Sequence, residues 1–300
     1  MLAPHEPQRI FLLWQEIIFS GGSHGGDILF ARSEDGGRTF SAPLNLSNSV
    51  AGDGKGRTTR EHWHNGSLDI AAGADGAVYA VWTEYEGKLW LSVSADGGKT
   101  FSAPQHIAGD DRSPARAPSI AIGRDRAVYL AWTVGEDPAA AIRVARSTDG
   151  FATPVLLKGN AHSDAPKLAV DAKGTLHLAY GLGERVVYAR STDGGQRFER
   201  ARELGKGAFP SLAVDANGGV YVTWELPRGL GFAVSADGGD TFGAAAQLPG
   251  TGGRNGGTQG LLMDKLAANS RGDVAVAHSS FEPGRQSRVF VVRGIKGRGP

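Results

Sequence analysis

Short apolar runs separated by glycine-rich turns recur along the whole chain. Four of these runs end in an aromatic residue, at positions 78–82, 128–132, 176–180 and 220–224. Runs beginning with proline at 118–122, 166–170 and 210–214 precede three of them, and further runs at 89–94, 142–147 and 186–191 follow. Runs of this length, rich in Val, Ile, Leu and aromatic residues, are typical of β-strands. The pattern therefore predicts an all-β protein.

A repeated turn follows the third run of each unit. It reads Ser-x-Asp-Gly-Gly-x-Thr-Phe at 33–40, 94–101, 191–198 and 235–242, with Arg197 in place of the threonine and a shortened copy at 147–151. The aspartates stand at positions 35, 96, 149, 193 and 237, so the spacing settles at 44 residues. One unit thus reads as four strands joined by a turn, a loop and the Ser-x-Asp turn. Units of this length in an all-β chain predict propeller blades.

The strand count predicts a six-bladed β-propeller with four-stranded antiparallel blades. Six second strands and six third strands are found, but only five first strands and five fourth strands. We therefore expect a single domain over 1–300 whose first and last blades are incomplete. Residues 260–263 are a candidate substitute strand. The predicted blades span about 8–46, 66–108, 117–158, 165–205, 209–249 and 258–296.

The chemistry of the Ser-x-Asp turn indicates a structural role. Glycine adopts positive φ without steric cost, and an aspartate can accept hydrogen bonds from the backbone of its own turn. A catalytic or calcium site would not need five copies, so we interpret the turn as a staple of the fold. We interpret the Asp75, Asp125, Asp171 and Asp215 turns in the same way.

These turns resemble the Asp boxes, or BNR repeats, of sialidases and their relatives, over nearly the whole chain. Residues 12–33 are also similar to the first blade of sialidases. Ser23 or His24 stands where that family places its acid aspartate, and Arg9 is a faint match to its first arginine. The resemblance implies a propeller fold and a protein that binds or acts on glycans, as an exo-sialidase-like glycoside hydrolase if it is an enzyme. It also implies a site that differs from that of a standard sialidase.

The composition excludes some classes of binding partner. The net charge is +1 with acids and bases mixed, so a nucleic-acid partner is not expected. No stretch of 18 apolar residues exists, so no membrane span is expected, and the absence of cysteine excludes thiolate metal sites. We expect a carbohydrate or small-molecule ligand and no cofactor. Residues 1–7 do not read as a signal peptide, and an extracellular or periplasmic location is expected only if the natural start lies upstream.

The candidate site lies in loops at the end of the blades opposite the Ser-x-Asp turns, because those loops vary in length. The longest, at 47–66, is dense in charged, aromatic and imidazole groups. The candidate ligand-binding residues are Arg57, Arg60, Glu61, His62, Trp63, His64, Arg116, Asp164, Arg228 and Arg254. The candidate catalytic carboxylates are Glu16, Glu84 and Glu225, each following an aromatic residue near the end of a second strand.

Three functions remain open from the sequence. A glycoside hydrolase needs two carboxylates about 5 to 10 Å apart, beside arginines that bind a sugar acid. A binding or scaffold propeller needs no such pair. A metal-dependent enzyme would use His62 and His64, which alternate on an extended segment, with a third ligand such as His24 or His162.

Overall fold

A computed structural model describes ten stretches of the chain. They are residues 2–3, 6–20, 23–47, 67–84, 87–110, 112–136, 138–157, 162–251, 265–280 and 288–295. The chain divides into two compact units, residues 1–122 with 132–136, and residues 123–131 with 137–300.

The described strands form six sheets, and consecutive strands are neighbours in every sheet. The strands of the first two sheets are β1 (Leu2–Ala3), β2 (Glu6–Ser20), β3 (Ser23–Ser33), β4 (Leu44–Asn45), β5 (Leu68–Ala72), β6 (Val78–Thr83), β7 (Leu89–Ser94) and β8 (Gln105–Ala108). The third sheet contains β9 (Ala115–Ile122), β10 (Val128–Val134), β11 (Ala141–Arg146) and β12 (Val155–Leu156).

The remaining three sheets belong to the second unit. Their strands are β13 (Ser163–Val170), β14 (Leu176–Leu182), β15 (Arg185–Ser191), β16 (Arg202–Lys206), β17 (Ala208–Val214), β18 (Val220–Glu225), β19 (Leu230–Ser235), β20 (Ala246–Gln247), β21 (Leu266–Ala268), β22 (Val274–Ser280) and β23 (Arg288–Gly294). The sixth sheet has three described strands, and the other five have four. The candidate strand at 260–263 lies outside the described residues.

The second strands of the second to fifth sheets carry large aromatic core residues. Trp82, Trp132, Tyr180 and Trp224 are each at most 2% exposed and stand at or near the strand's end. Trp82 packs with residues of the first sheet and Trp224 with residues of the fourth, so these side chains are buried between neighbouring sheets. The aromatic ends read from the sequence are therefore the core positions of the fold.

The Ser-x-Asp turn closes the third and fourth strands and also packs a neighbouring sheet. In the first unit, Phe101 of the second sheet's turn meets Phe30 edge-on, with ring centroids 4.8 Å apart. In the second unit, Phe242 meets Tyr188 in the same way, also at 4.8 Å. The Phe of these turns thus fills the gap between adjacent sheets, and such contacts add to the area they bury.

The shortened third copy of the turn adopts a different backbone. Ser147–Asp149 form a 3₁₀ turn, and Gly150 follows in the left-handed region at φ 68°. The Asp149 carboxylate still accepts the Thr153 hydroxyl hydrogen bond. The missing residues are therefore accommodated by tightening the turn, while its aspartate keeps the same role.

Links between sheets differ greatly in length. β16 and β17 are separated by one residue, Gly207, whose φ is +136°. A Cβ at that position would lie 2.5 Å from Cδ1 of Trp224, so no side chain fits there. The chain from β20 to β21, in contrast, covers residues 248–265. No α-helix occurs in the described part of the chain, so no helix there is long enough to cross a membrane.

Candidate functional site

The two ends of the sheets carry different chemistry. In the fifth sheet, the Gly238 amide of the Ser-x-Asp turn donates to the Gly218 carbonyl of the first turn at 3.0 Å, so both turns share one end. We call this the turn end. The opposite end, with the loops between second and third strands and the links between sheets, we call the loop end.

Carboxylates at the turn end are used to hold the backbone. Asp35 Oδ1 accepts the Arg38 and Thr39 amides at 2.9 Å each, and Oδ2 accepts the Thr39 hydroxyl at 2.6 Å. These bonds, the Thr39 hydroxyl first, lower the pKa of Asp35 to about 2. The same kind of hydrogen bonding lowers the pKa of Asp96 and Asp237. Because the oxygens of these carboxylates already accept hydrogen bonds from their own turns, we assign them a structural role.

At the loop end of the first unit, Arg116 is the most unusual side chain. It is the second residue of β9 and only 8% exposed. Its Nε is buried without a hydrogen-bond partner, and no described residue accepts a hydrogen bond from the guanidinium or lies within ion-pair distance of it. Buried arginines are almost always paired, because an unpaired charge out of water is costly. Among the described residues, the Arg116 side chain is thus enclosed and has no partner that offsets its charge.

The backbone beside Arg116 is strained. Ala117 has φ 47°, which is unfavourable for a residue with a Cβ. Ala165 and Phe209 repeat this conformation at φ 50° and 52°, each directly before the proline that begins the apolar run of its sheet. In the fourth and fifth sheets the strand register shifts at this point, as in a β-bulge. Bulges re-aim side chains and are common next to binding sites.

Two loops hold the start of β9 in place. The Ala115 amide donates to the Gly87 carbonyl at 2.8 Å, and the Gly135 amide donates to the Pro114 carbonyl at 2.9 Å. Gly87 lies in the loop after β6, and Gly135 follows β10. The position of Arg116 is therefore fixed from two sides by backbone hydrogen bonds.

Glu84 stands at the loop end of the same unit. It directly follows β6 and opens a turn in which its carbonyl accepts the Gly87 amide and its amide donates to the Lys88 carbonyl, both at 2.9 Å. The residue is half-buried. Glu84 and Arg116 are thus both anchored to Gly87, since the Gly87 carbonyl accepts the Ala115 amide.

Neighbouring first strands are linked at one level by polar side chains. In the first unit, Asp69 Oδ2 accepts the Ile120 amide at 2.9 Å. In the second unit, Ser211 Oγ accepts the Lys265 amide at 3.0 Å. Asp69 and Ser211 occupy equivalent register positions in their own sheets, opposite the fourth residue of the second strand, Val81 and Thr223 respectively. Sequence analysis did not identify them as functional residues.

Glu225 lies at the loop end of the second unit and is paired. Its carboxylate bonds to the Lys265 ammonium, with the side chains 25% and 17% exposed. Glu225 also occupies the strand position that Thr83 has in the second sheet, whereas Glu84 stands one residue further along. Successive strand side chains point to opposite faces. Glu225 and Glu84 therefore do not occupy equivalent positions.

The other described candidates are more open to solvent. Asp164, half-buried at the start of β13, accepts the Ala165 amide at 2.8 Å on Oδ1. Arg228 is exposed, and its carbonyl accepts the Gln247 side-chain amide at 2.9 Å. Glu16 is exposed on the long β2–β3 hairpin, directly opposite Asp27.

Several candidates cannot be placed, because they lie outside the described residues. They are Arg57, Arg60, Glu61, His62, Trp63, His64 and Arg254. Within the described ranges no three His, Cys, Asp or Glu side chains come together as a metal-binding group. The metal hypothesis built on His62 and His64 stays a prediction.

Comparison with known proteins shows the fold. No protein-family model matches the chain, and no curated protein matches it. A Dyadobacter fermentans protein of unknown function matches at TM-score 0.64 and 15% identity, covering 97% of this chain and 96% of that one. The Streptococcus pneumoniae sialidase NanB matches at TM-score 0.58 and 13% identity, over 89% of this chain and 65% of that one. The Aleuria aurantia lectin, a six-bladed β-propeller that recognises fucose, matches at TM-score 0.53 and 10% identity, over 97% and 96%.

The fold is a six-bladed β-propeller. The fold class predicted from the repeat is thereby confirmed, and each sheet described above is one blade. The propeller's solved neighbours include sialidase-like enzymes and a lectin, at identities that show fold and not activity. The sialidase chain extends well beyond the part matched here, which is 65% of its length.

Proposed function

We propose that the propeller binds a glycan at its loop end and that Arg116 holds an anionic group of that glycan. One observation carries the proposal: Arg116 is 8% exposed and its guanidinium has no hydrogen-bond or ion-pair partner among the described residues. An enclosed guanidinium that lacks a partner in the free protein is a strong candidate for pairing with a ligand.

The energetics favour an anionic ligand. A buried charge without a partner costs several kcal/mol, on the order of 3 to 5, and a carboxylate or sulfate would offset that cost. The planar guanidinium donates two parallel hydrogen bonds to such a group, which a lysine cannot reproduce. The strained Ala117 beside it fits a site whose geometry is held by the surrounding fold.

The neighbouring folds support a sugar ligand. The matched proteins include a sialidase and a lectin that recognises fucose, so this fold is found both in an enzyme and in a binding protein for sugars. Hydrogen bonding in the Ser-x-Asp turns supports their assignment as Asp boxes. The Asp-box turns leave the loop end free to vary, and we place ligand recognition by Arg116 at the loop end of the first unit. The other ligand-binding candidates from the sequence stay predictions: Asp164, Arg228, Arg57, Arg60, Glu61, His62, Trp63, His64 and Arg254.

Hydrolysis of the bound glycan is the second candidate function. It is favoured by Glu84, whose turn is anchored to the same Gly87 that holds the start of β9. In this proposal Glu84 is the leading catalytic carboxylate and Glu16 a candidate partner, both in the first unit. Glu225, held by Lys265 in the second unit, is the weaker candidate because its carboxylate is already paired.

The test compares acidic and neutral glycans. The wild-type protein is screened on an array of uronic-acid, sialic-acid, sulfated and neutral glycans, and hits are measured by calorimetry. Charged hydrogen bonds contribute about 1.5 to 3 kcal/mol, so Arg116→Met should weaken an acidic hit about 10- to 100-fold. Arg38→Gln, an exposed arginine at the turn end, is the matched control and should bind as the wild type does.

Two further results decide between binding and catalysis. Removing an unpaired buried charge should leave the free energy of unfolding of Arg116→Met equal to or above that of the wild type, so its loss of binding cannot come from misfolding. Turnover of a matching chromogenic glycoside that Glu84→Gln abolishes, with binding retained, would establish the hydrolase. Acidic glycans bound equally by wild type and Arg116→Met would refute the role of Arg116.

A further inference from the structure

A buried chain of three ionisable groups lies at the turn end of the fourth blade. The His177 ring is 0% exposed, with its Nδ1 2.6 Å from the Tyr188 hydroxyl and its Nε2 3.4 Å from Asp171 Oδ2. The Asp171 carboxylate attracts a proton on Nε2, although their 3.4 Å contact falls outside hydrogen-bond geometry, so we assign the ring proton to Nε2 and Nδ1 then accepts the Tyr188 hydroxyl. The imidazole is therefore neutral and bridges the turn after β13 to the strand β15.

The fifth blade shows what the histidine replaces. Tyr221 is the second residue of β18, as His177 is of β14, and its hydroxyl donates to Asp215 Oδ2 at 2.8 Å. Asp215 holds the turn after β17, as Asp171 holds the turn after β13. The fourth blade thus has a histidine, a residue type whose ordinary pKa is near physiological pH, where the fifth blade has Tyr221. The pKa of Tyr221 is raised to about 12.

The chain of contacts continues into the fifth blade. The Tyr188 ring packs edge-on against Phe242, and its hydroxyl lies over Gly239, where a Cβ would be only 1.9 Å away. Both residues belong to the Ser-x-Asp turn of the fifth blade. A change at the His177 ring therefore reaches the packing between two blades.

The charges around the ring oppose a second proton. Burial is the main cause that lowers the pKa of His177, and Arg190 on β15 lowers it further, whereas Asp171 raises it. Arg190 is itself bonded to Glu199 and to Asp240 of the fifth blade. The charged groups that shift the pKa of Tyr188 are Arg190, Glu199, Arg202 and Asp171.

We propose that Asp171, His177 and Tyr188 form an acid-sensitive lock between the fourth and fifth blades, which holds only while the imidazole is neutral, so that the uptake of a second proton from solvent and the opening of the lock occur together. A proton on Nδ1 removes the acceptor of the Tyr188 hydroxyl and places a cation in an enclosed site beside Arg190. The lock is intact above the ordinary histidine pKa of about 6.5, where the His177 imidazole is neutral in both the folded and the unfolded chain. Below that pH the unfolded chain binds the proton first, so stability falls.

The first test reads the ring directly. Nitrogen-15 NMR of the histidine rings is recorded from pH 8 to pH 4, with the His177 signals identified by their loss in His177→Tyr or their shift in Tyr188→Phe. The expected result is a neutral ring with its proton on Nε2 that resists titration well below the ordinary histidine pKa of about 6.5. A His177 ring that takes up its second proton near pH 6.5 would overturn the proposal.

The second test measures the consequence for the fold. One proton taken up only on unfolding changes the unfolding equilibrium constant about tenfold per pH unit below pH 6.5. We expect His177→Tyr, which copies the fifth blade, to lose that dependence, and the exposed control His106→Gln to keep it. Identical pH profiles for wild type and His177→Tyr would refute the lock. If His177→Tyr does not fold, the NMR titration of the wild type decides alone.

Discussion

Two adjacent glycines in the fifth blade allow a sharp test of how the Ser-x-Asp turns hold neighbouring blades together. Gly238 and Gly239 both have positive φ, at +74° and +88°. A Cβ at Gly238 would meet no atom within 4 Å, whereas a Cβ at Gly239 would lie 1.9 Å from the Tyr188 hydroxyl oxygen and 2.7 Å from the ring carbon bearing it. The two alanine variants therefore share the backbone strain and differ only in packing.

The expected difference can be worked from these distances. Alanine in the left-handed region costs about 1 to 2 kcal/mol, and this applies to both variants. Gly239→Ala adds the overpacking of a filled site, about 1 to 3 kcal/mol, and disturbs the Tyr188–His177 hydrogen bond, about 0.5 to 1.5 kcal/mol. Gly239→Ala should therefore be about 2 to 4 kcal/mol less stable than Gly238→Ala.

Equilibrium urea denaturation at pH 7.5 measures both variants with the wild type, and equal slopes confirm that the midpoints report stability. Tyr188→Phe in the Gly239→Ala background should recover part of the loss, because the hydroxyl is removed while the ring remains close. If the two alanine variants lie within about 0.5 kcal/mol of each other, the argument that Tyr188 demands a bare backbone at Gly239 is wrong.

Three other predictions follow from single contacts. The Asp35 carboxyl carbon should titrate by NMR with a midpoint near pH 2, because its folded pKa is lowered to about 2. The stability that this carboxylate contributes should be lost as the pH falls below about 4, the ordinary aspartate pKa. An NMR midpoint near pH 4 would contradict the hydrogen bonding of Asp35. Gly231→Ala should lower the free energy of unfolding by about 1 to 3 kcal/mol and change the near-ultraviolet circular dichroism, since its Cβ would lie 2.3 Å from the Trp224 indole; an unchanged spectrum would oppose this. Lys265→Met should cost at most about 1 kcal/mol in urea denaturation, because the Lys265–Glu225 pair is partly exposed, and a loss above 3 kcal/mol would show a buried pair instead.

The fold was readable from the sequence because each blade repeats the same local signals. Apolar runs ending in Trp82, Trp132 or Trp224 mark second strands, and the Ser-x-Asp turn marks the hairpin after each third strand. A period of 44 residues then leaves few all-β architectures open. The strand β1, two residues long, carries no such signal, and it was not predicted.

The site was harder to predict because it depends on backbone detail. Arg116 was selected as a candidate for its charge and loop position, but nothing in the sequence shows that it is buried and unpaired. The strained Ala117 that aims it has no residue signature of its own, since alanine rarely adopts positive φ. Glu225 was grouped with Glu84, although counted from its tryptophan it stands one position short of Glu84, and the strand register agrees with this offset.

The lock of the fourth blade was invisible for another reason. Asp171 was interpreted from the sequence as a turn residue, which agrees with its hydrogen bonds to its own turn. His177 and Tyr188 lie eleven residues apart in sequence. They meet only because β14 and β15 pair as neighbouring antiparallel strands. Alignment of the blades would have flagged His177, since Tyr79, Tyr129 and Tyr221 hold the corresponding place.

The joint at Gly207 has a consequence for anyone who re-engineers the chain. With one residue between β16 and β17, and no space for a side chain on it, the fourth and fifth blades can be neither spaced apart nor given a tag between them. Reporter insertions, new termini for circular permutation and blade exchanges should treat these two blades as a single cassette.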